Sequence, residues 1–347
     1  SNAPTITFTT PSSNAPTAGS VLYTSGTRTL VFTVGSSNMA QLTQYAFIIA
    51  NIITPSSIVG VNSIVATTQD SESKSIDTTS SMATDQIASG VLTSATFATA
   101  VDTPGYESVA TVSFTTAGRV EVGGKVVLVM PAESGAQHSW RFTDGASPSE
   151  ETSGTSNAPT ITFTTPSSSA PAAVSVGYTL GTRTLVLTVG ANDLAQSASC
   201  VFTITNALTP SSVVGVNNVE ARTRDSQDKD VDSTSSMATD QIASGVLTSA
   251  TFATAVDTPG FKDSATVSFT TSGQVALGGH IKLVTPDLNV GTGVQSAWAF
   301  ETPVAHCTMP SLGSPSVTAS YDATARRLTL TTADNTMPQS MQYVITI

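Results

Sequence analysis

The chain has 347 residues, of which 39% are hydrophobic and 11% are charged, and its 13 basic and 24 acidic residues give a formal net charge of −11. With so few basic residues, the chain cannot form a basic patch that neutralises a run of phosphates. We therefore expect it to bind neither nucleic acids nor anionic membrane surfaces. No run of ~20 apolar residues occurs, and we therefore predict no membrane span in this segment.

A long internal repeat organises the sequence from its first residue. The segment SNAPTITFTTPSS begins at Ser1 and again at Ser156, and residues 79–105 recur unchanged as 234–260, so both pairs lie 155 positions apart (156 − 1 and 234 − 79). A third copy is under way by Tyr321. A repeat of this length indicates an array of folding units. Because such an array suits a stalk, fibre or adhesin better than a catalyst, we predict that the chain is not an enzyme.

Each repeat has two halves with the sequence pattern of β-strands. In the first copy, residues 28–57 and 110–131 each contain an alternating strand, a polar loop with glycine, an apolar strand and then proline. Threonine is a good strand former with a polar tip, and no stretch of useful length has a helical period. We therefore predict an all-β fold of tandem immunoglobulin-like β-sandwich modules arranged end to end. The segment SMATDQIAS, at 81–89 and 236–244, is predicted to be a short helical connector.

Five modules follow from these halves and their turn signals. Their predicted bounds are 1–78 for module 1, 79–155 for module 2, 156–233 for module 3 (a copy of module 1), 234–300 for module 4 (a copy of module 2) and 301–347 for a partial module 5. A sandwich without half of its strands leaves apolar faces and strand edges exposed to water. We expect module 5 to be completed either by further residues of a longer array or by strands from a neighbouring chain.

An acidic loop in the second copy is the best candidate for a binding site. It carries Asp225, Asp228, Asp230 and Asp232, the last three at alternating positions, and hard oxygen ligands of this kind can bind calcium. The loop lacks the glycine and the terminal glutamate of a helix-loop-helix calcium site, and its counterpart in the first copy keeps only Asp70 and Asp77 of these four aspartates. A solvated acidic turn without metal is the favoured alternative, and we predict no other cofactor.

The two cysteines do not follow the repeat. Cys200 stands where the other copies have Tyr45 and Tyr343, which favours a small buried hydrophobic side chain on a strand. A disulfide between Cys200 and Cys307 is the second hypothesis. The histidines do not recur between copies either, and the sequence contains no known nucleophile, zinc or phosphate-binding motif, so no catalytic residue is predicted.

The phrase ATVSFTTxGxVxxGGKxxLxMP, at 110–131 and with two changes at 265–286, resembles repeats in very large secreted proteins of algae and other flagellated protists. The second copy has His280 in place of Lys125 and Thr285 in place of Met130. The resemblance implies immunoglobulin-like modules at the cell surface, in flagellar hairs (mastigonemes) or in mating-type adhesion. It implies an extracellular or cell-surface location and assigns no catalytic residue.

Two functional hypotheses follow. The first is a structural segment of an extracellular filament or cell-surface fibre that self-associates with further copies or modules of the same protein. Low charge leaves surfaces of hydroxyl and methyl groups that pack on neighbours at little desolvation cost. The alternative is the stalk of a cell-surface adhesin, which binds a protein partner or surface glycans.

Overall fold

The computed structural model describes residues 3–11, 13–132, 139–142, 155–156, 159–167, 170–286, 298–301, 303–308 and 315–347. Regular structure in these residues is strand, apart from one 3-10 turn at Leu180–Thr182. The predicted all-β class is therefore confirmed. Within the described ranges, no helix has the length and apolar character that crossing a lipid bilayer requires.

The chain groups into two compact units, one formed by Ser1–Pro55 and Val59–Ile87 and the other by Ser56–Ile58 and Ala88–Ile347. The described residues of the first unit form the strands β1 (Thr5–Thr10), β2 (Ala18–Thr24), β3 (Thr29–Val34), β4 (Ala46–Ala50), β5 (Ser63–Gln69) and β6 (Ser75–Ala83). These strands make three separate antiparallel pairs: β1 with β4, β2 with β3, and β5 with β6.

The second unit begins with a twelve-stranded sheet. Its strands are β7 (Gly90–Val91), β8 (Thr93–Thr99), β9 (Glu107–Thr115), β10 (Lys125–Val129), β11 (Arg141–Phe142), β12 (Thr155–Ser156), β13 (Ile161–Thr165), β14 (Ala173–Thr179), β15 (Thr184–Val189), β16 (Ser199–Leu208), β17 (Asn218–Arg224) and β18 (Asp230–Ala238). Their order is β11-β16-β9-β8-β18-β17-β10-β15-β14-β12, with β13 also on β16 and β7 also on β18.

The remainder of the second unit contains two smaller sheets. Its strands are β19 (Thr248–Thr254), β20 (Ala265–Thr270), β21 (His280–Val284), β22 (His306–Thr308), β23 (Val317–Asp322), β24 (Arg327–Thr332) and β25 (Gln342–Thr346). One sheet has the order β19-β20-β25-β22 and the other the order β21-β24-β23. This arrangement repeats that of β8-β9-β16-β13 and β10-β15-β14 in the sheet before it.

Strand formation follows from the alternation of apolar and hydroxyl side chains. In β15, Leu185, Leu187 and Val189 point inward and are fully buried, and the residues between them are only partly buried. This alternation gives the strand one core-facing side and one wetter side. The inward residues of β7–β18 and their loops form one continuous hydrophobic core, whereas β20–β25 contribute to a second, separate core.

The strand pairing defines two kinds of half-repeat. We call residues 1–87, 156–242 and 303–347 leading half-repeats, and residues 88–142 and 243–301 trailing half-repeats. The described strands of the leading half-repeat 1–87 form only three strand pairs. The leading half-repeat 156–242 contains the same three pairs, which are β13 with β16, β14 with β15, and β17 with β18. The trailing half-repeat 88–142 joins the three pairs into one sheet.

This pairing differs from the predicted bounds of the modules. The sheet and its core cross the boundary predicted at 155, because strands of 88–142 pair with strands of 156–242. The boundaries predicted near 78 and 233 fall within β6 and β18. The predicted helical connector is not a helix: its first three residues, 81–83 and 236–238, are the ends of those strands, and the rest is irregular apart from single bridges. Its serines and threonines are compatible with a strand, and Met237 enters the core.

Candidate functional site

The contact between a trailing half-repeat and the leading half-repeat that follows it occurs twice in the described residues, each time with strand pairing and a shared hydrophobic core. We call the contact of 88–142 with 156–242 the first seam and the contact of 243–301 with 303–347 the second seam. Both are built from main-chain ladders, buried side chains and a small number of polar contacts. The sequence predicts a structural protein, and such a protein would act through contacts of this kind, so the seam is the candidate functional site.

An inserted strand forms the centre of the first seam. Strand β10 lies between β15 and β17 and pairs antiparallel with both, with Val127 opposite Val186 on one side and Arg222 on the other. Its three middle residues are buried, which is typical of a central strand covered on both faces. The turn before it is tight: a Cβ atom on Gly124 would lie 2.6 Å from the carbonyl oxygen of Arg224. This close approach explains the second glycine of the Gly-Gly pair, and the positive φ of 86° at Gly123 explains the first.

Aromatic side chains from both half-repeats fill the core behind this seam. The Trp140 ring packs edge-on against Phe97 at a centroid distance of 5.2 Å, and Phe142 packs against Tyr178 at 5.1 Å. The Tyr178 hydroxyl donates a hydrogen bond to the carbonyl oxygen of Trp140 at 2.7 Å. These rings bury a large apolar area that neither half-repeat can cover alone.

A buried carboxylate joins the two half-repeats at the edge of the core. Asp232 of β18 has no exposed surface and accepts hydrogen bonds from the amides of Gly118 (2.9 Å) and Ala117 (3.3 Å) of the trailing half-repeat. The Thr223 hydroxyl lies 3.3 Å from the same carboxylate. A Cβ atom on Gly90 would lie 2.2 Å from an oxygen of Asp232, so the chain approaches the carboxylate at a residue without a side chain. Asp232 therefore positions the 117–118 loop.

An ion pair crosses the same seam at the surface. Arg119 of the trailing half-repeat donates through Nε to Asp193 of the leading half-repeat at 3.0 Å, and the Val122 amide donates to the other oxygen of Asp193 at 2.8 Å. The hydrogen bond from Arg119 is the main cause that lowers the pKa of the Asp193 carboxyl below its usual value. In the second seam, Gln274 and Thr336 occupy these two positions and lie 3.4 Å apart, so the ion pair is not needed for a seam to form.

The acidic loop does not bring its four aspartates together. Each carboxylate has its own partners. Asp225 accepts hydrogen bonds from the amides of Gln227 and Lys229 at 2.9 Å, and Asp232 faces the 117–118 loop. Asp228 forms an ion pair with Lys125 at 2.6 Å, and Asp230 forms ion pairs with Arg222 and Arg224 at 2.9 Å. In the described part of the chain, no group of three or more His, Cys, Asp or Glu residues is placed to hold a metal ion. The geometry favours the alternative of an acidic turn neutralised by lysine and arginine.

We expect calcium to have no effect on the stability of this loop. A bound ion would have to displace Lys125 from Asp228 and both arginines from Asp230. Thermal unfolding in millimolar calcium and in excess chelator should therefore give the same midpoint. A midpoint that rises with calcium, and no longer rises in the double variant Asp228→Asn with Asp230→Asn, would support the metal site instead.

The two cysteines are free and buried in different places. Cys200 of β16 lies in the core of the first seam and Cys307 of β22 in that of the second, so they do not form the hypothesised disulfide. Burial raises the pKa of the Cys200 thiol to about 12 and that of Cys307 to about 11. Both thiols are therefore protonated at neutral pH and behave as small hydrophobic groups.

The second seam repeats the main-chain contacts of the first. In the first seam the Met130 amide donates to the Arg183 carbonyl at 2.9 Å, and in the second the Thr285 amide donates to the Arg326 carbonyl at 3.0 Å. The Tyr321 hydroxyl donates to the Trp298 carbonyl at 2.8 Å, as Tyr178 does to Trp140. The antiparallel bridge between Val120 and Leu194 recurs between Val275 and Met337. The Thr116 hydroxyl donates to the carbonyl of Ala195, and in the second seam the Thr271 hydroxyl donates to that of Pro338.

Sequence reasoning did not find the seam. It treated the 110–131 phrase as part of a module that closes on itself, although the phrase supplies strands to the next half-repeat. The aspartate shared by the two copies was available in the sequence, since Asp77 and Asp232 occupy the same strand position. Its role at the seam could not be inferred from the sequence, because Thr68 or Thr223 of the same hairpin already contacts the carboxylate and the partners across the seam are main-chain amides of the 117–118 loop.

A second contact joins the sheet of β7–β18 to the sheets that follow it. The loop 102–107 provides most of it: the carbonyl of Asp102 accepts from the Ala243 amide at 2.9 Å, and that of Gly105 accepts from the Gln274 amide at 3.0 Å. The Glu107 amide donates to the side-chain oxygen of Gln339 at 2.6 Å. The cavity beside this joint measures about 40 Å³, which can hold a water molecule but not an organic ligand.

Comparisons with known proteins give no family for this chain. No protein-family model matches it, and no curated protein matches it. Among solved structures, it is similar to a type II cohesin dyad from the adaptor ScaA scaffoldin of Acetivibrio cellulolyticus, with 9% identity, a TM-score of 0.24, and coverage of 75% of this chain and 84% of the other. It is also similar to the serine-rich repeat adhesion glycoprotein Srr1 of Streptococcus agalactiae, with 12% identity, a TM-score of 0.23, and coverage of 74% and 87%.

Proposed function

We propose that the chain is a structural segment of an extracellular filament or cell-surface fibre, in which the load-carrying unit consists of a trailing half-repeat and the next leading half-repeat. The observation that supports this most directly is the single sheet formed by residues 88–142 and 156–242. In this arrangement each 155-residue repeat of the sequence shares a hydrophobic core with the next one. Separating two repeats then requires breaking strand ladders, which resist force far better than a flexible linker does.

The joint after the first seam supports the same function. At least four direct hydrogen bonds connect the loop 102–107 with the next trailing half-repeat and with Gln339. A Cβ atom on Gly273 would lie 1.8 Å from the carbonyl oxygen of Pro104, so the two sheets approach as closely as a glycine allows. Direct hydrogen bonds and close backbone packing restrict motion at this joint, which favours a stiff array over modules connected by flexible linkers.

The sequence of this joint allows the contact to propagate. The segment Asp102–Gly105 recurs unchanged as residues 257–260, and no atom lies within 4 Å of a Cβ built on Gly260. The second copy of the loop therefore presents the same surface without the neighbour that covers the first. A contact between two different surfaces of successive units extends into a linear assembly, because it does not close on itself.

Electron microscopy tests this proposal. Preparations of the purified chain, and of concatenated repeats, should contain straight fibres whose axial period corresponds to one 155-residue repeat. Double substitution of the exposed loop, Thr258→Asp with Pro259→Asp, should shorten them, because a charged loop cannot pack on a second unit. Freely bending monomers under all conditions would contradict the filament. Fibre-free protein that binds cells or a glycan array would support the adhesin stalk.

A further inference from the structure

The leading half-repeat 1–87 has the sequence of a buried surface but presents that surface to solvent. Tyr23 is 52% exposed, whereas its counterpart Tyr178 is 1% exposed; Phe47 is 38% exposed, whereas Phe202 has no exposed surface. Val34, Ile64 and Met82 are likewise exposed, and their counterparts Val189, Val219 and Met237 are fully buried. These residues are the same or similar in both copies, so the difference in burial comes from what covers them.

Three strands of 1–87 have an edge without the partner strand that their counterparts in 156–242 have. In the first seam, β10 fills the slot between β15 and β17, and β9 pairs with the edge of β16. The counterparts of these three leading strands are β3, β5 and β4. Within the described part of the first unit, β3 pairs only with β2, β5 only with β6, and β4 only with β1. By position in the repeat, the free edges of β3 and β5 therefore correspond to the two strand edges that β10 joins in the first seam.

Polar groups at this surface match those of the seam as well. Asp77 is the counterpart of Asp232, its amide donates to the Thr68 hydroxyl at 3.1 Å, and that hydroxyl donates to the Asp77 carboxylate at 3.2 Å. The same arrangement holds Asp232 and Thr223 in the first seam, where the carboxylate accepts the amides of Ala117 and Gly118. Asp77 is exposed and already oriented to accept such a loop.

We infer that the face of 1–87 formed by β3, β4, β5 and β6 is a docking site for a further trailing half-repeat with the sequence character of residues 88–142. That half-repeat enters in cis, joined ahead of residue 1 as residue 142 is joined to residue 156. Its counterpart of β10 inserts between β3 and β5, and its counterpart of β9 pairs with β4. The occupant is not one of the two trailing half-repeats of this chain, since both already pair with the leading half-repeat that follows them. The inference does not depend on whether the assembled array is a fibre or an adhesin stalk.

Hydrogen exchange on an extended chain tests this inference. A copy of residues 88–155 is placed directly before Ser1, which reproduces the natural junction because SNAPTITFTTPSS begins at both Ser1 and Ser156. Exchange at the amides of Thr29–Val34 and Ala46–Ala50 should slow by roughly tenfold or more, towards the rates of Thr184–Val189 and Ser199–Leu208, because amides in a buried ladder exchange only when the unit opens.

A matched control uses the same extension with Leu128→Asp in the added copy. This change places a charge on the strand that should insert between β3 and β5, so the protection of Thr29–Val34 should disappear while that of Thr184–Val189 is unchanged. Equal exchange in the extended and unextended chains would overturn the inference. Protection of the same strands in the unextended chain at high concentration, together with a dimeric mass, would assign the face to a second copy and would also overturn it. Neither result depends on fibre formation.

Discussion

Replacement of Phe202 by alanine should destabilise residues 88–142 as well as its own half-repeat. Phe202 is fully buried and packs against Phe114 of the trailing half-repeat, with ring centroids 6.3 Å apart. Removing a buried aromatic ring costs about 3–5 kcal/mol, because transfer free energy is lost and a cavity remains. Since the two half-repeats share one core, this loss should appear in the unfolding of both.

Tryptophan fluorescence can measure this effect across the seam. Trp140 lies in the trailing half-repeat and is buried, so in a Trp298→Phe background its fluorescence reports the unfolding of the unit to which 88–142 belongs. Phe202→Ala should shift the denaturant midpoint seen by Trp140 to a much lower concentration. The control is Phe47→Ala, the same change at the half-exposed position of the first copy, which should alter the Trp140 transition by less than about 0.5 kcal/mol. An unchanged Trp140 transition in Phe202→Ala would show that the half-repeats fold separately.

Replacement of Asp232 by alanine should have the second largest effect. The variant removes the acceptor for the amides of Gly118 and Ala117, and both amides are part-buried. Leaving buried donors unsatisfied costs about 1–3 kcal/mol each, and hydrogen bonds to charged groups lie at the upper end. We therefore expect a loss of about 3 kcal/mol in the unfolding free energy of residues 88–242, measured by the same fluorescence.

Two further variants separate the seam from the hairpin that carries Asp232. Asp232→Asn keeps one side-chain oxygen as an acceptor and should lose about half as much stability as Asp232→Ala. Asp77→Ala makes the same change in the first copy, where the residue is exposed and contacts only its own hairpin among the described residues, so its effect should stay within about 0.5 kcal/mol. Equal losses for Asp77→Ala and Asp232→Ala, each measured in its own unit, would mean that the hairpin and not the seam needs the carboxylate.

The all-β class could be predicted from the sequence because it depends on local patterns. The alternation of Leu185, Leu187 and Val189 with threonine and valine predicts a strand with one buried side, and the structure has that strand. The turn at Gly123-Gly124 could be predicted for the same reason, because a Gly-Gly pair directly before an apolar strand is a signal within a few residues of sequence.

The pairing between half-repeats could not be predicted in this way. A repeat of 155 residues fixes the length of the unit but not its starting point, and any starting point gives the same periodic sequence. The position of Val126–Leu128 as a central strand depends on partners about 60 and 95 residues further along the chain, a separation that no local pattern encodes. The same reason explains the acidic loop. Asp228, Asp230 and Asp232 alternate along the chain as metal ligands in a loop can. Asp228 and Asp232 are instead paired with Lys125 and with the 117–118 loop, which are far away in sequence.

A paired cysteine substitution tests the central claim most directly. Thr111 of β9 and Thr203 of β16 lie opposite each other in the ladder of the first seam, at the spacing that a disulfide can bridge. In the double variant Thr111→Cys with Thr203→Cys, mild oxidation should join the two positions within one chain, as peptide mass mapping would show. The control pair Thr266→Cys with Thr203→Cys should stay reduced, because Thr266 pairs with Thr346. Free thiols at 111 and 203, or bonds only between chains, would contradict a unit built from the end of one repeat and the start of the next.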